Sequence, residues 1–246
     1  MKKEEFLNNC NQLLQSYKTG EIGATKMPED SHPNFSDAES RITYFTLSMA
    51  LNYQRDSFKL WEFAKKTFED PETNSVFNLQ KVSQMSEVEL KNKLTKHKLA
   101  LQPKKHIQIW KKISQTILEN FGSFSNLFQE VNFDFLQLQS VVQKNFKQGF
   151  PYLSGPKIFH YWSFILGQYG GINLKNKEFI EIAPDTHIIK GSIKLGVITE
   201  QEADSLPKDK ISERWRNLLK NSNINPIDMH PPLWFWSRNK FQFKLK

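Results

Sequence analysis

The sequence predicts an all-α protein. Apolar residues recur at three- and four-residue spacing along most of the chain, several of these stretches follow helix-capping patterns, and the alternating pattern of half-buried strands is nearly absent. With 246 residues and 38% hydrophobic side chains, including 20 Phe and 6 Trp, the chain can bury a core without disulfides.

The elements follow in order. Residues 1–35 hold an amphipathic piece around Phe6, Leu13 and Leu14, then a loop rich in Gly, Pro and acidic residues, and read as an N-terminal extension. Ser36-Asp37-Ala38-Glu39 has the spacing of a capping box and predicts a helix to about Asn52, mostly buried through Ile42, Phe45, Leu47 and Met49. Asp56 or Ser57 caps the next helix, which carries Leu60, Trp61, Ala64 and Phe68. Ser86 and Glu89 form a second box, opening a charged helix to about Lys98. After Pro103, the series Ile107, Trp110, Ile113, Ile117, Leu118 is helical and stops at Gly122. Weaker helical segments cover 124–131 and 134–146, and clearer ones 157–168 and 186–195. Thr199 and Glu202 form a third box; Ile211, Trp215, Leu218 and Leu219 mark another helix; Pro231-Pro232 starts the last, with Leu233-Trp234-Phe235-Trp236. This gives about ten helices and no fixed-period repeat.

The formal charge of +8 favours a polyanionic partner, most simply nucleic acid. One cysteine, Cys10, excludes an internal disulfide and any four-cysteine metal or iron–sulfur site, and fits a reducing compartment. The six histidines lack metal-ligand spacing, and there is no phosphate-binding glycine loop or nucleophile elbow, so neither metal nor cofactor is expected. With no 18-residue apolar run and no signal-peptide pattern at the start, a soluble, cytoplasmic protein without membrane contact is expected, nucleoid-associated in a prokaryote.

Two short motifs carry chemistry. Leu153-Ser154-Gly155-Pro156 is a tight turn that delivers Lys157 to the first turn of an aromatic-rich helix, and Ala183-Pro184-Asp185-Thr186-His187 places a carboxylate at the start of another. Taken alone, each has an ordinary reading: a solvated lysine and a helix N-cap. Together they resemble the helix–hairpin–helix DNA glycosylase superfamily, whose hairpin reads L-P-G-V-G-x-K and whose next helix begins V-D-T-H. The block IAPDTHIIKGSIKLGVI is the more specific match; the hairpin here is shorter and lacks the second glycine.

The resemblance implies a two-lobed helical bundle with a cleft between lobes: about 100–198 for the hairpin-bearing lobe, about 36–99 plus 199–246 for the other. It implies double-stranded DNA with a damaged base as partner, a protein acting as a monomer, and catalysis by Lys157 and Asp185. The lysine amine attacks the sugar C1′ of an extruded nucleotide, the base departs, and a Schiff base to the opened sugar allows β-elimination; the aspartate stabilises charge on the sugar or moves protons. The amine must be neutral to attack, which a helix N-terminus, a cationic surface and burial all favour. A lysine at this position marks the members that both excise and cut. Ser154, Gly155, Thr186, His187 and Lys190 are then expected at the DNA backbone.

Chain length, the longer Lys157–Asp185 segment and the short hairpin look most like the archaeal 8-oxoguanine glycosylase branch. That similarity implies a base pocket from Gln54, on an early helix in Leu51-Asn52-Tyr53-Gln54, with Pro184, Trp234 and an acidic position filled by Asp228 or His230. The target implied is an oxidised purine, 8-oxoguanine; the alternatives are another damaged or mismatched base, or a non-catalytic helix–hairpin–helix DNA-binding protein. Lys96, Lys98, Lys104, Lys105 and His106 form a basic cluster, and Phe150, Tyr152 and residues 103–106 are candidates for the wedge entering the duplex.

Overall fold

Eight of the α-helices open on a side chain that accepts a first-turn backbone N–H, and three others carry proline in the first turn, so local sequence sets where most helices begin. The computed structural model describes residues 2–246; these form thirteen α-helices with no strand, apart from one isolated bridge between Asp134 and Lys175. The all-α expectation holds. The chain forms two compact units.

One unit is Met27–Lys175. It contains α2 (Ala38–Met49), α3 (Ser57–Glu69), α4 (Leu79–Gln84), α5 (Glu87–Lys96), α6 (Pro103–Asn120), α7 (Phe124–Glu130), α8 (Phe135–Ser140) and α9 (Pro156–Gln168). Its core is aromatic, with Tyr44, Phe45, Trp61, Trp110 and Trp162 at 0% exposure. The buried indole N–H groups are satisfied: Trp61 donates to Glu29 Oε1 (2.9 Å), Trp110 to the Val76 carbonyl (2.8 Å) and Trp162 to Thr46 Oγ1 (3.0 Å).

The other unit runs up to Lys26 and from Asn176 to Lys246. It holds α1 (Lys3–Thr19), α10 (Thr186–Lys194), α11 (Glu200–Ser205), α12 (Lys208–Leu219) and α13 (His230–Arg238). Phe6, Cys10 and Leu13 bury one face of α1, and Phe6 meets Trp215 of α12 at 5.6 Å between ring centroids. Burial pushes the Cys10 thiol up to about 12, so it is a packing residue. Trp215 donates to Ser192 Oγ (2.8 Å), and Arg214 pairs bidentately with Glu202 (2.6 and 2.8 Å).

Several expectations are corrected. Residues 1–35 are not one extension: α1 belongs to the core of its unit, while residues from Met27 onward belong to the other. The units also divide the chain elsewhere than at the expected lobes, because 36–99 and 100–175 share one core; Trp162 of α9 reaches Thr46 of α2. The box at Ser36–Glu39 does not form. Asp37 caps α2, and Glu39 instead takes the N–H groups of Phe124 (2.7 Å) and Ser125 (2.8 Å) at the start of α7. Helix α2 ends at Met49, short of Asn52, and the segment expected over 134–146 gives way after Ser140 to a π turn at Val141–Asn145.

Candidate functional site

The start of α9 is built from a tight turn between two buried anchors. Phe150 and Leu153 are fully buried, the Ser154 N–H donates to the Phe150 carbonyl (2.9 Å), and the Gly155 N–H donates to the Tyr152 carbonyl (3.0 Å). Ser154 Oγ donates to the Lys147 carbonyl (3.3 Å), and Gln143 Nε2 donates to the Ser154 carbonyl (3.1 Å). A Cβ at position 155 would stand 3.1 Å from the Tyr152 carbonyl oxygen, so glycine suits this close approach. Gly155 brings no capping side chain, and Pro156 occupies the first helical position. Lys157 follows, exposed. The burial expected to favour a neutral amine is therefore not supplied by the free chain.

In the other unit, Asp185 Oδ1 accepts from the N–H groups of both His187 and Ile188 at 2.9 Å. Its Oδ2 accepts no hydrogen bond among the described residues, and the residue is half-buried. Asp185 is thus an N-cap with a second oxygen uncommitted. Gly191 lets α10 and α13 approach closely: a Cβ there would lie 2.9 Å from Leu233 Cδ2. One turn earlier on α10, the His187 ring meets Trp234 edge-on at 5.4 Å, with Nδ1 3.1 Å from Ser237 Oγ. The Arg238 guanidinium lies over the Trp234 ring at 4.7 Å. The structure brings Asp185, His187 and Trp234 together at the α10–α13 contact, with Thr186 and Lys190 exposed on α10.

The remaining pocket candidates are placed as follows. Pro184 is buried directly before the cap. Asp228 accepts from the Asn225 N–H (3.2 Å) and Nδ2 (2.8 Å), closing the short 3-10 turn Pro226–Met229, while His230 is buried at the start of α13. Gln54 lies in the Met27–Lys175 unit; it is exposed, in the α2–α3 loop with φ +50°, instead of on a helix, because α2 has already ended.

The basic cluster divides by environment. Lys96 is tied to Asp70 (2.8 Å) and Glu72 (2.6 Å), and the Lys96 and His97 hydrogen bonds hold the Asp70 carboxyl well below the usual carboxylate range. Burial, with Arg55 and Lys105 nearby, pushes His106 down to about 4, so it adds no charge at neutral pH. Lys104 and Lys105 remain exposed. Of the wedge candidates, Phe150 is fully buried, whereas Tyr152 is half-buried with φ +63°.

Sequence reading missed two features. Tyr53 and Tyr152 stand 5.1 Å apart between ring centroids with the Lys105 ammonium over both, 5.4 and 4.6 Å from their centroids. Glu29, in a segment that reads as acidic loop, is fully buried; its Oε1 accepts from Trp61 Nε1 and Tyr161 Oη (3.1 Å), and burial pushes its carboxyl up to about 7. No local pattern signals a buried acid whose donors come from remote helices. No group of acidic, histidine or cysteine side chains among the described residues is placed to hold a metal ion. The chain matches no model of a known protein family, and no curated protein matches it.

Proposed function

We propose that the protein is a DNA glycosylase with an associated β-elimination activity, acting on an oxidised purine in duplex DNA. The observation that carries this reading is the division of labour in the Asp185 carboxylate. Oδ1 holds the start of α10 through two N–H groups, which leaves Oδ2 as a fixed negative oxygen at a half-exposed position. The exposed, uncapped start of α9 at Lys157 and the formal charge of +8 add support.

In this mechanism the start of α9, delivered by the helix–hairpin–helix turn at Ser154-Gly155, meets a phosphate with its first-turn backbone N–H groups, and the damaged nucleotide leaves the stack. The neutral Lys157 amine forms a bond to C1′ while the glycosidic C1′–N bond breaks and its electron pair leaves with the base, which is protonated. Asp185 Oδ2 stabilises the positive charge developing on the sugar. Loss of the amine proton and opening of the sugar ring give the Schiff base. Removal of a C2′ proton then expels the 3′ phosphate by β-elimination, and water hydrolyses the Schiff base to restore the lysine. Trp234, with His187 at its edge, offers an aromatic surface for the displaced base.

The test is strand cleavage of duplexes carrying one 8-oxoguanine, one alkylated base, one mismatched pyrimidine or no lesion. The proposal expects cleavage at 8-oxoguanine with the β-elimination product; cleavage of none of the lesion duplexes would refute it.

A further inference from the structure

We infer that the groove along α6 carries the sugar–phosphate backbone of one DNA strand; this rests on the DNA-processing reading and extends it to a lysine-lined surface that reaches the turn before α9. Two adjoining concavities of about 560 and 360 Å³ share Glu87, Ile107 and Gln108 on their walls. Together they are lined by Lys91, Lys104, Lys105, Lys111 and Lys112, and Glu87 is the one carboxylate. None of the five lysines forms an ion pair among the described residues. By contrast, Lys65, Lys66, Lys93 and Lys96 of the same unit stand 3.7, 2.6, 3.8 and 2.8 Å from carboxylates. Uncompensated charge concentrated in a concave surface is the signature of a polyanion site.

Dimensions and composition fit a strand. From Lys104 to Lys112 the helix rises about 12 Å, the length of roughly three nucleotides at the B-form rise. Gln108, Gln115 and Gln148 add neutral amides along the groove, which suit phosphate and sugar oxygens without selecting sequence. Tyr152 forms part of the wall. Its φ of +63° is costly for an aromatic residue and is fixed between the buried anchors Phe150 and Leu153. The Lys105 ammonium rests over this ring and that of Tyr53 without a carboxylate partner, a weak contact that a phosphate can displace. The ring so released is a surface on which a base can stack.

The test compares duplex affinity as a function of salt for the wild type, K105Q/K112Q and the control K65Q/K66Q, which removes the same charge from ion-paired positions. K105Q/K112Q is expected to lower the slope of log affinity against log salt by about two, and the control to leave it unchanged. Tyr152→Ala is expected to weaken binding about five-fold or more and Tyr152→Phe to restore it; equal affinity for Ala and wild type would remove the ring from the surface. Equal slopes for the wild type and K105Q/K112Q, with a borohydride-trapped complex still formed on an abasic duplex, would overturn the groove and leave the enzyme reading standing. An equal fall in both double variants would also overturn it. A slope change confined to K105Q/K112Q with no trapped complex would support the groove and overturn the enzyme. A wild type that binds no duplex would overturn both.

Discussion

The starts of α9 and α10 meet the same local problem, four backbone N–H groups without helical partners, and resolve it in opposite ways. At α9, Gly155 supplies no side chain, Pro156 removes one N–H, and the exposed Lys157 adds positive charge to the positive end of the helix. At α10, Asp185 accepts two N–H groups and places a carboxylate there. One start has added positive charge and no capping side chain, while the other is capped by a carboxylate. A helix that only needs stability follows the second plan; leaving the first uncapped has a purpose if a phosphate completes it.

The sharpest way to break the comparison is Asp185→Asn. Asparagine caps as well as aspartate, so thermal stability stays near wild type, but the anionic oxygen is lost and single-turnover base release falls about 100-fold or more. Unchanged release would reduce Asp185 to a cap. A buried carboxylate provides the contrast. Glu29 lies in the short 3-10 turn Pro28–Ser31, but there burial outweighs its hydrogen bonds and raises its carboxyl from 4.5 to about 7. The folded state therefore binds the proton more tightly than the unfolded chain. Its stabilisation is complete below about 4.5 and is lost as pH rises through about 7, a decline of about 3 kcal/mol. Denaturant melts from pH 5 to 8 should show the decline in the wild type and a flatter profile for Glu29→Gln. Asp185→Ala, which removes the cap itself, should cost about 1 kcal/mol in the same melts. Smallest of all, Lys157→Ala should change stability by less than about 0.5 kcal/mol, because the side chain is exposed and surface substitutions cost little.

What the sequence made legible was local. The caps at Asp56, Ser86, Thr199 and Asp185 form because donor and acceptor lie within one helical turn. Proline at Pro103 and Pro156 marks α6 and α9 for the same reason. Glu39 could not be read, since its backbone partners lie 85 and 86 residues along the chain. The six-residue α4 is too short to show a period, and the turn at Val141–Asn145 departs from the 3.6-residue repeat that any such reading assumes. The candidate site divides likewise. Lys157 and Asp185 announce themselves by the turns before them, whereas Lys96 and Lys104 look alike in sequence and differ only because Asp70 and Glu72 fold onto the first. The Tyr53–Lys105–Tyr152 stack joins three segments and has no sequence signature.

The most direct measurement is borohydride trapping on a duplex carrying 8-oxoguanine, with wild type and Lys157→Ala side by side and duplex binding recorded for both. The account predicts a covalent protein–DNA complex for the wild type and none for Lys157→Ala, with binding intact in each. A covalent complex formed equally by Lys157→Ala, or none formed by a wild type that binds the duplex, would contradict it.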